Sequence, residues 1–235
     1  MIKFNPDHWA VIVGGSSGFG MAAAHKLARH GMNLCIVHRD RRGAMSKITP
    51  AFEALKENAV QVLTFNLDGL SAEGRTRVLD ELADTLGQTG KVRLLLHTVA
   101  FGNLKLLAPY EGSKAPEASR DELSRQAGVT TDRMAETINS GFESGLAALC
   151  TLVDDKNDYS NRQFLEKEDF TRTLHAMGFN IVEWVQDIFA RALFAADARV
   201  LSLTSEGNAT AWRGYAAVAA AKSVLESVCR AMALE

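Results

Sequence analysis

The chain has 235 residues, of which 47% are apolar, and this is enough to bury a sizeable core as one α/β domain with an elaboration. Its 26 basic and 28 acidic residues give a net charge of −2, which argues against binding to nucleic acid or to an anionic membrane surface. No run approaches the roughly 20 apolar residues of a membrane span, and the N-terminus lacks the apolar core of a signal peptide. Three widely spaced cysteines among apolar neighbours, Cys35, Cys150 and Cys229, indicate buried thiols in a reducing compartment. We therefore expect a cytoplasmic protein whose partners are small molecules or other proteins.

Short apolar runs alternate with helical patterns along the first 100 residues. The runs predict strands over 10–13, 33–38, 60–66 and 92–99, and the helical patterns cover 21–30, part of 45–57, and 72–86. Because no hairpin turn joins the strands, we expect parallel pairing with right-handed crossovers. The predicted fold is a doubly wound, Rossmann-type α/β sheet.

The alternation stops after Ala100 and resumes with a helical pattern over 169–195 and a strand over 199–204. The polar segment between, about 103–168, is predicted to be a largely helical insertion or lid on a single domain that spans 1–235. Apolar residues recur there at every fourth position, as in an amphipathic helix: Met134, Ile138, Phe142 and Leu146. Such a helix could pack on the parent domain, cover a substrate pocket or contact another subunit.

A glycine-rich turn, Gly14-Gly15-Ser16-Ser17-Gly18-Phe19-Gly20, lies between the first predicted strand and the first helix. Glycine permits positive φ and lets backbone N–H groups approach a pyrophosphate, while the helix N-terminus adds a partial positive charge. The position of the turn favours dinucleotide binding over a purely structural role. The expected cofactor contacts are Gly14, Ser16, Ser17, Gly18, Phe19 and Gly20.

The second strand ends in His38-Arg39-Asp40-Arg41-Arg42. Arg39 is placed to bind a 2′-phosphate through two N–H groups, which favours NADPH. Asp40 favours NADH, but the positive charge of the two arginines that follow would outweigh it. Arg41 and Arg42 are themselves interpreted as a solvated cluster at a helix start, so only Arg39 is taken as a cofactor contact. NADPH is therefore the expected cofactor, and NADH is less favoured.

Tyr215 and Lys222 are seven residues apart in a helical pattern. At about 100° per residue, seven steps are close to two turns, so both side chains are expected on one helix face. An ammonium group near a phenol favours its ionised form and makes Tyr215 a usable proton donor near neutral pH. Taken alone, the pair fits better a Tyr that anchors a helix start and a Lys in water.

These motifs together resemble the short-chain dehydrogenase/reductase family, and within it the enoyl-[acyl-carrier-protein] reductase branch, over most of 8–102 and 168–235. The glycine-rich turn is similar to the family's Thr-Gly-x-x-x-Gly-x-Gly, with Gly14 in the Thr position. The motif His97-Thr98-Val99-Ala100-Phe101 is similar to the His-Ser-Ile-Ala-Phe form of enoyl reductases. Tyr-x6-Lys is the enoyl reductase spacing, whereas Tyr-x-x-x-Lys is usual in the family and would need a Tyr where this chain has Val218.

The resemblance implies further site residues. Ser205, ten residues before Tyr215, matches the place of a second Tyr and is preferred to Ser202, which falls within a predicted strand. Asn180 matches the helix Asn that helps to hold a proton-relay water, although an Asn that bonds a kinked backbone fits equally well. The implied catalytic residues are Tyr215, Lys222, Ser205 and Asn180, and the implied cofactor contacts beyond the turn are Arg39, Asn66, Leu67, Ala100 and Lys222.

The function implied by the resemblance is hydride transfer from NADPH to the C=C bond of a 2-enoyl thioester, as in fatty acid biosynthesis. The resemblance also implies that acyl carrier protein could carry the substrate and that the protein forms a homodimer or homotetramer. A reductase of a carbonyl substrate, such as a 3-oxoacyl thioester, is the alternative, and a non-catalytic dinucleotide-binding sensor or scaffold is a further one. No spacing of His or acidic residues indicates a metal site. The family continues past the Tyr/Lys helix with two more βα elements, so its C-terminal end is expected to be missing after Glu235.

Overall fold

The computed structural model describes residues 3–108, 115–143 and 164–235. Their contacts group into two compact units, of which the first comprises Met1–Leu104 and Leu165–Glu235 and the second lies within Lys105–Phe164. All of the residues predicted for the site belong to the first unit. The prediction of a single domain carrying an insertion or lid over 103–168 stays a prediction.

The first unit is built on one parallel sheet with the strand order β3-β2-β1-β4-β5. Each pair of neighbouring strands is parallel. Its strands are β1 (His8–Val13), β2 (Asn33–His38), β3 (Val62–Asn66), β4 (Lys91–His97) and β5 (Phe194–Ser202). The predicted doubly wound, Rossmann-type sheet is confirmed.

Helices cover both faces of this sheet. The helices of the first unit are α1 (Gly18–Arg29), α2 (Met45–Lys56), α3 (Ala72–Leu86), α6 (Lys167–Leu174), α7 (Asn180–Ala190) and α8 (Ala216–Leu234). The second unit contains α4 (Ala115–Ala127) and α5 (Thr131–Glu143). The segment after β4 is thus largely helical in its described part, as predicted. None of the helices in the described ranges is long and apolar enough to cross a membrane.

The hydrophobic core lies on the two faces of β1. Trp9, Val11 and Val13 pack in a cluster that includes residues of α3 and α7. Ala10 and Ile12 pack on the opposite face, in a cluster that includes residues of α1 and α2. Because both faces are covered, the strand is a continuous apolar run and not an alternating one, which is typical of parallel sheets.

The long helix predicted over 169–195 is present, but it starts at Lys167, includes a π-helical turn and ends five residues early, at Ala190. The chain forms α6, then a π-helix at His175–Phe179, and then α7, which ends at Ala190. β5 starts at Phe194, five residues before the predicted start of the strand at 199. The turn between them contains Ala192 at a φ of 53°, a conformation that glycine usually supplies. Since no glycine or proline marks the end of α7, the sequence contains no stop signal there.

The second unit contains one helix that was expected and one that was not. Met134 lies in α5, which confirms a helix there, while the side chains of Ile138 and Phe142 and all of Leu146 lie outside the described residues. α4 was not predicted, because Ala115–Ala127 is rich in charged and polar residues and has no apolar stripe to detect.

The cysteines agree with a thiol interpretation where they are described. Cys35 is a free, buried thiol in β2, and Cys229 is a free, half-buried thiol in α8. Burial raises the pKa of both thiols. Cys150 lies outside the described residues.

Candidate active site

A cleft of about 610 Å³ opens at the edge of the sheet where the five strands end. The loops that follow β1, β2, β3, β4 and β5 all line it, together with residues of the π-helix and of α8. Parallel α/β sheets bind ligands at this edge. Of the predicted site residues, those that line the cleft are Gly14, Ser16, Ser17, Gly18, Phe19, Gly20, Arg39, Leu67, Ala100, Ser205, Tyr215 and Lys222.

The glycine-rich turn has no room for side chains at three of its positions, Gly14, Gly15 and Gly20. A Cβ on Gly20 would lie 2.4 Å from the carbonyl oxygen of Gly14, and a Cβ on Gly14 would lie 2.9 Å from the hydroxyl of Thr98. Gly14 also has a φ of +92°, which side chains rarely allow. The backbone therefore packs closely against the end of β4 and leaves the N-terminus of α1 beside the cleft.

Thr98 holds this turn from the neighbouring strand. Its backbone N–H donates to the carbonyl oxygen of Val13 at 2.8 Å. Its hydroxyl lies 3.0 Å from the carbonyl oxygens of both Val13 and Gly14 and can donate to either. The sequence analysis assigned Thr98 no role, although a hydroxyl residue directly after β4 was the available signal.

Two charged residues after β2, Arg39 and Asp40, favour different cofactors, and their side chains lie in different places. Asp40 is bound to His38, with 2.8 Å between its carboxylate and His38 Nδ1, and it does not line the cleft. Arg39 does line the cleft. Its guanidinium lies 2.9 Å from the carboxylate of Asp68 and 5.0 Å from the ring centre of Phe101.

Asn66, a predicted cofactor contact, instead joins the ends of β2 and β3. Its side-chain oxygen accepts the N–H of Asp40 at 2.9 Å, and its amide donates to the carbonyl oxygen of Asp40 at 3.1 Å. It does not line the cleft, whereas Leu67, the next residue, does.

Tyr215 and Ser205 meet within the cleft. The hydroxyl oxygens lie 3.1 Å apart, and either one can be the donor. The N–H of Gly207 donates to Ser205 Oγ at 3.2 Å and so fixes the orientation of this hydroxyl. A Cβ on Gly207 would lie 2.3 Å from the ring of Tyr215, so only glycine fits beside it. The ring of Trp212 packs edge-on against Tyr215 with 5.1 Å between centroids.

Lys222 lines the same cleft from α8, although Tyr215 is the residue before this helix and not part of its first turn. Lys222 is only 6% exposed, and its ammonium donates to the carbonyl oxygen of Leu203 at 2.7 Å. Burial lowers the pKa of Lys222. The amine is thus held by the strand-to-helix loop that also carries Ser205.

Asn180 lies behind the cleft and not on its surface. It is fully buried directly after the π-helix, with its side-chain oxygen 3.2 Å from His97 Nε2 and its amide donating to Glu183 at 2.7 Å. Burial lowers the pKa of His97 to about 4, so the ring is neutral at pH 7. His97 is thus a buried, hydrogen-bonded side chain, and a water relay at Asn180 stays a prediction.

Glu183 is a second residue to which the sequence analysis assigned no role. Its carboxylate accepts from Asn180, from Arg75 at 3.0 Å and from His175 at 2.8 Å. Arg75, buried in α3, also donates to Asp187 at 2.8 Å, so the cluster ties α3 to α7. In the part of the chain that the structure describes, no cluster of three or more His, Cys, Asp or Glu side chains could hold a metal ion.

The fold and the cleft define the class of protein as a Rossmann-type α/β protein with a ligand site at the carboxyl ends of its strands. Residues 8–115, slightly less than half of the chain, match the family model of the short chain dehydrogenases. This part of the chain is therefore similar to the short chain dehydrogenases. No curated protein matches the chain.

Solved structures share the fold at low sequence identity. An NADPH-bound short chain oxidoreductase from Pseudomonas aeruginosa, described as containing an atypical catalytic center, has a TM-score of 0.63 and 16% identity, with 100% of this chain and 67% of that chain covered. A 3-oxoacyl-[acyl-carrier protein] reductase from Brucella melitensis has a TM-score of 0.60 and 16% identity, with 96% and 68% covered. An enoyl-(acyl-carrier-protein) reductase from Anaplasma phagocytophilum, in complex with NAD, has a TM-score of 0.58 and 15% identity, with 97% and 65% covered. This chain therefore spans about two thirds of the length of each.

Proposed function

We propose that this chain is an NADPH-dependent reductase of the C=C bond of a 2-enoyl thioester. The observation that carries the proposal is the 3.1 Å contact between the hydroxyls of Ser205 and Tyr215 in a cleft that Lys222 also lines. An acyl carrier protein as carrier of the substrate, a cytoplasmic location and a homodimer or homotetramer belong to the same proposal.

The residues at the sheet edge fit a dinucleotide. The glycines of the turn Gly14–Gly20 expose backbone at the cleft, and the turn leads into a helix of 12 residues whose N-terminus favours an anion. Arg39 supplies a cation for a 2′-phosphate, and the carboxylate of Asp40 is bound to His38 and does not oppose it. When bound, the reduced nicotinamide supplies the hydride.

Three side chains of this chain supply the rest of the chemistry. Tyr215 donates a hydrogen bond or a proton to the substrate oxygen that gains negative charge, which typically contributes about 10²–10⁴ in rate. Ser205 orients the hydroxyl of Tyr215 or steadies the thioester carbonyl. Lys222, which lines the same cleft, contributes a positive charge there and binds the ribose hydroxyls of the nicotinamide.

The choice of an enoyl substrate is supported by the surroundings of the Tyr-x6-Lys pair. Val218, which stands four residues before Lys222, is buried against Ala176 and Met177 and has no proton to donate. The acid therefore stands at Tyr215, as the resemblance to enoyl reductases implies.

A carbonyl reductase is the second candidate. A serine hydroxyl next to a tyrosine hydroxyl can also bind and protonate a ketone oxygen, so the contact at 3.1 Å suits this reaction too. A 3-oxoacyl thioester is the natural test substrate, because it differs from the enoyl thioester only at the reacting carbons.

The test is oxidation of NADPH by the purified protein with crotonyl-CoA and, separately, with acetoacetyl-CoA. Oxidation with crotonyl-CoA alone supports enoyl reduction, and oxidation with acetoacetyl-CoA alone supports carbonyl reduction. If NADPH binds but neither thioester is reduced, a non-catalytic dinucleotide-binding sensor or scaffold is favoured. The Tyr215→Phe protein serves as the control, since it retains the cleft but lacks the proposed acid.

A further inference from the structure

The loop after β3 brings a carboxylate into the cleft opposite Arg39. Asp68 Oδ2 lies 2.9 Å from Arg39 Nη1, and both residues line the cleft. Among the described residues that line it, Asp68 is the one acidic side chain. The charge that a cofactor would meet at this end of the cleft is therefore that of an ion pair and not that of an unopposed arginine.

Asp68 is fixed by its own loop. Its Oδ1 accepts the N–H of Leu70 at 3.0 Å, and its backbone carbonyl accepts from the hydroxyl of Ser71 at 2.9 Å. Ser71 in turn accepts the N–H of Gly74 and caps α3. Arg75, buried in α3, donates to the carbonyl oxygen of Leu70 at 3.0 Å. The carboxylate of Asp68 thus has a set position, which the fold of the loop determines.

Arg39 is held less firmly than its partner. Its side chain is 52% exposed, and besides Asp68 it contacts the ring of Phe101. Exposed ion pairs are weak, so an anion with more charge than a carboxylate can draw the guanidinium away. Asp40 does not take part in this exchange, because its carboxylate is bound to His38.

We propose that Asp68 is a specificity-determining residue that sets the preference between NADPH and NADH by competing with the 2′-phosphate for Arg39. With NADPH, Arg39 exchanges the carboxylate for the phosphate, and the two anions repel each other. With NADH, the ion pair stays intact and the carboxylate is available to accept a hydrogen bond from a ribose hydroxyl. The acidic group that opposes NADPH in this chain therefore comes from the end of β3 and not from the end of β2. The inference rests on the dinucleotide site of the proposed function.

The test measures binding alone, by fluorescence titration of NADPH and of NADH into the purified protein without substrate. Asp68→Asn removes the charge and keeps an oxygen that can accept the N–H of Leu70, so the loop should fold; Asp68→Ser, which also keeps an acceptor, is the second variant. We expect the Kd of NADPH to fall about two- to fivefold, the range that an exposed ion pair is worth, while the Kd of NADH rises or stays constant.

Two comparisons separate this effect from a general change in charge. Glu73→Gln removes one negative charge from the exposed first turn of α3 and should leave the ratio of the two Kd values unchanged. In an Arg39→Ala background, Asp68→Asn should strengthen NADPH binding by less than it does in the wild type.

Three results would overturn the inference. An unchanged ratio in both Asp68 variants, or the same shift in Glu73→Gln, would refute it while leaving the proposed dinucleotide site intact. If the wild-type protein binds neither dinucleotide, the proposed function and this inference both fail.

Discussion

At the scale of single residues, the hydroxyl of Tyr215 is the group on which the proposed chemistry depends. Its ring is held between Gly207 and Trp212, so removing only the hydroxyl should leave the packing unchanged. We expect Tyr215→Phe to lower kcat by about 10²–10⁴. Steady-state oxidation of NADPH with the better thioester gives kcat, and a titration with NADPH should give a Kd close to that of the wild type. Full turnover by this variant would exclude Tyr215 as the acid.

Gly20 makes a second prediction at this scale. A Cβ there would lie 2.4 Å from the carbonyl oxygen of Gly14, so the start of α1 must move away from the turn. We expect Gly20→Ala to lower the free energy of unfolding by about 1–3 kcal/mol and to weaken NADPH binding more than tenfold. Urea denaturation and fluorescence titration measure the two effects.

Gly43 is a matched control for this substitution. A Cβ at Gly43 would meet no atom within 4 Å, and its φ lies outside the left-handed region. Gly43→Ala should therefore leave both quantities near their wild-type values. Equal effects of the two alanines would mean that the close approach at Gly20 is not what the site requires.

At the scale of elements, α8 holds the loop that carries Ser205 at two points one turn apart. Lys222 donates to the carbonyl oxygen of Leu203, and Glu226 Oε1 accepts from the hydroxyl of Thr204 and from the amide of Asn208, each at 2.6 Å. The two residues bound by Glu226 flank Ser205 on either side. The helix therefore sets the position of the Ser205 hydroxyl relative to Tyr215.

We expect Glu226→Ala to lower kcat roughly tenfold. The loss of two hydrogen bonds of about 1 kcal/mol each would allow the hydroxyl of Ser205 to move away from that of Tyr215. The Kd of NADPH should change little, and Glu226→Gln, which keeps an acceptor oxygen, should restore most of kcat. Arg230→Ala removes a more distant surface partner of Glu226, at 3.8 Å, and serves as the control. A fall in thermal stability without a change in kcat would mean that the hydrogen bonds of Glu226 stabilise the fold but do not affect the position of Ser205.

The strands were predictable from the sequence, and the ends of the later helices were not. Strands buried on both faces are apolar at every position, so the run 33–38 matches β2 residue for residue. The end of α7 depends on Ala192, which adopts a positive φ without being glycine. The π-helix shifts the phase of the helical pattern, but α6, with 8 residues before it, is too short to define the phase from which a shift could be detected.

The residues of the candidate site also differ in how far the sequence predicted them. The glycine-rich turn was visible because its chemistry is local to seven consecutive residues, and six of them line the cleft. Asn66 and Asn180 bond to neighbouring side chains and backbone instead of lining the cleft, since spacing does not tell where a side chain points. Asp68 and Thr98 contribute contacts between distant segments, which no single motif records.

At the scale of the whole molecule, the buried His97 links the stability of the fold to pH. Burial lowers its pKa from 6.5 to about 4, so between these values the unfolded chain binds more protons than the folded protein. The free energy of unfolding should therefore fall as the pH falls through this range, by roughly 3 kcal/mol from this group once the pH is below its folded pKa.

The contribution of His97 can be isolated by substitution. His97→Gln keeps an N–H that can reach Asn180 but does not titrate. Urea denaturation of both proteins at a series of pH values should give a shallower loss of stability for the variant between pH 6.5 and 4. Equal slopes for the two proteins would show that His97 does not couple protonation to unfolding.

The π-helix at His175–Phe179 has a consequence for how this fold can change in evolution. A π turn holds one residue more than an α turn, so it rotates everything that follows by about 100° around the helix axis. The extra residue decides that Asn180 faces His97 and that Glu183 faces Arg75. A relative that lost one residue from this turn would still form an uninterrupted helix. It would, however, present a different side of α7 to the sheet. The length of this turn therefore matters as much as the identity of its residues.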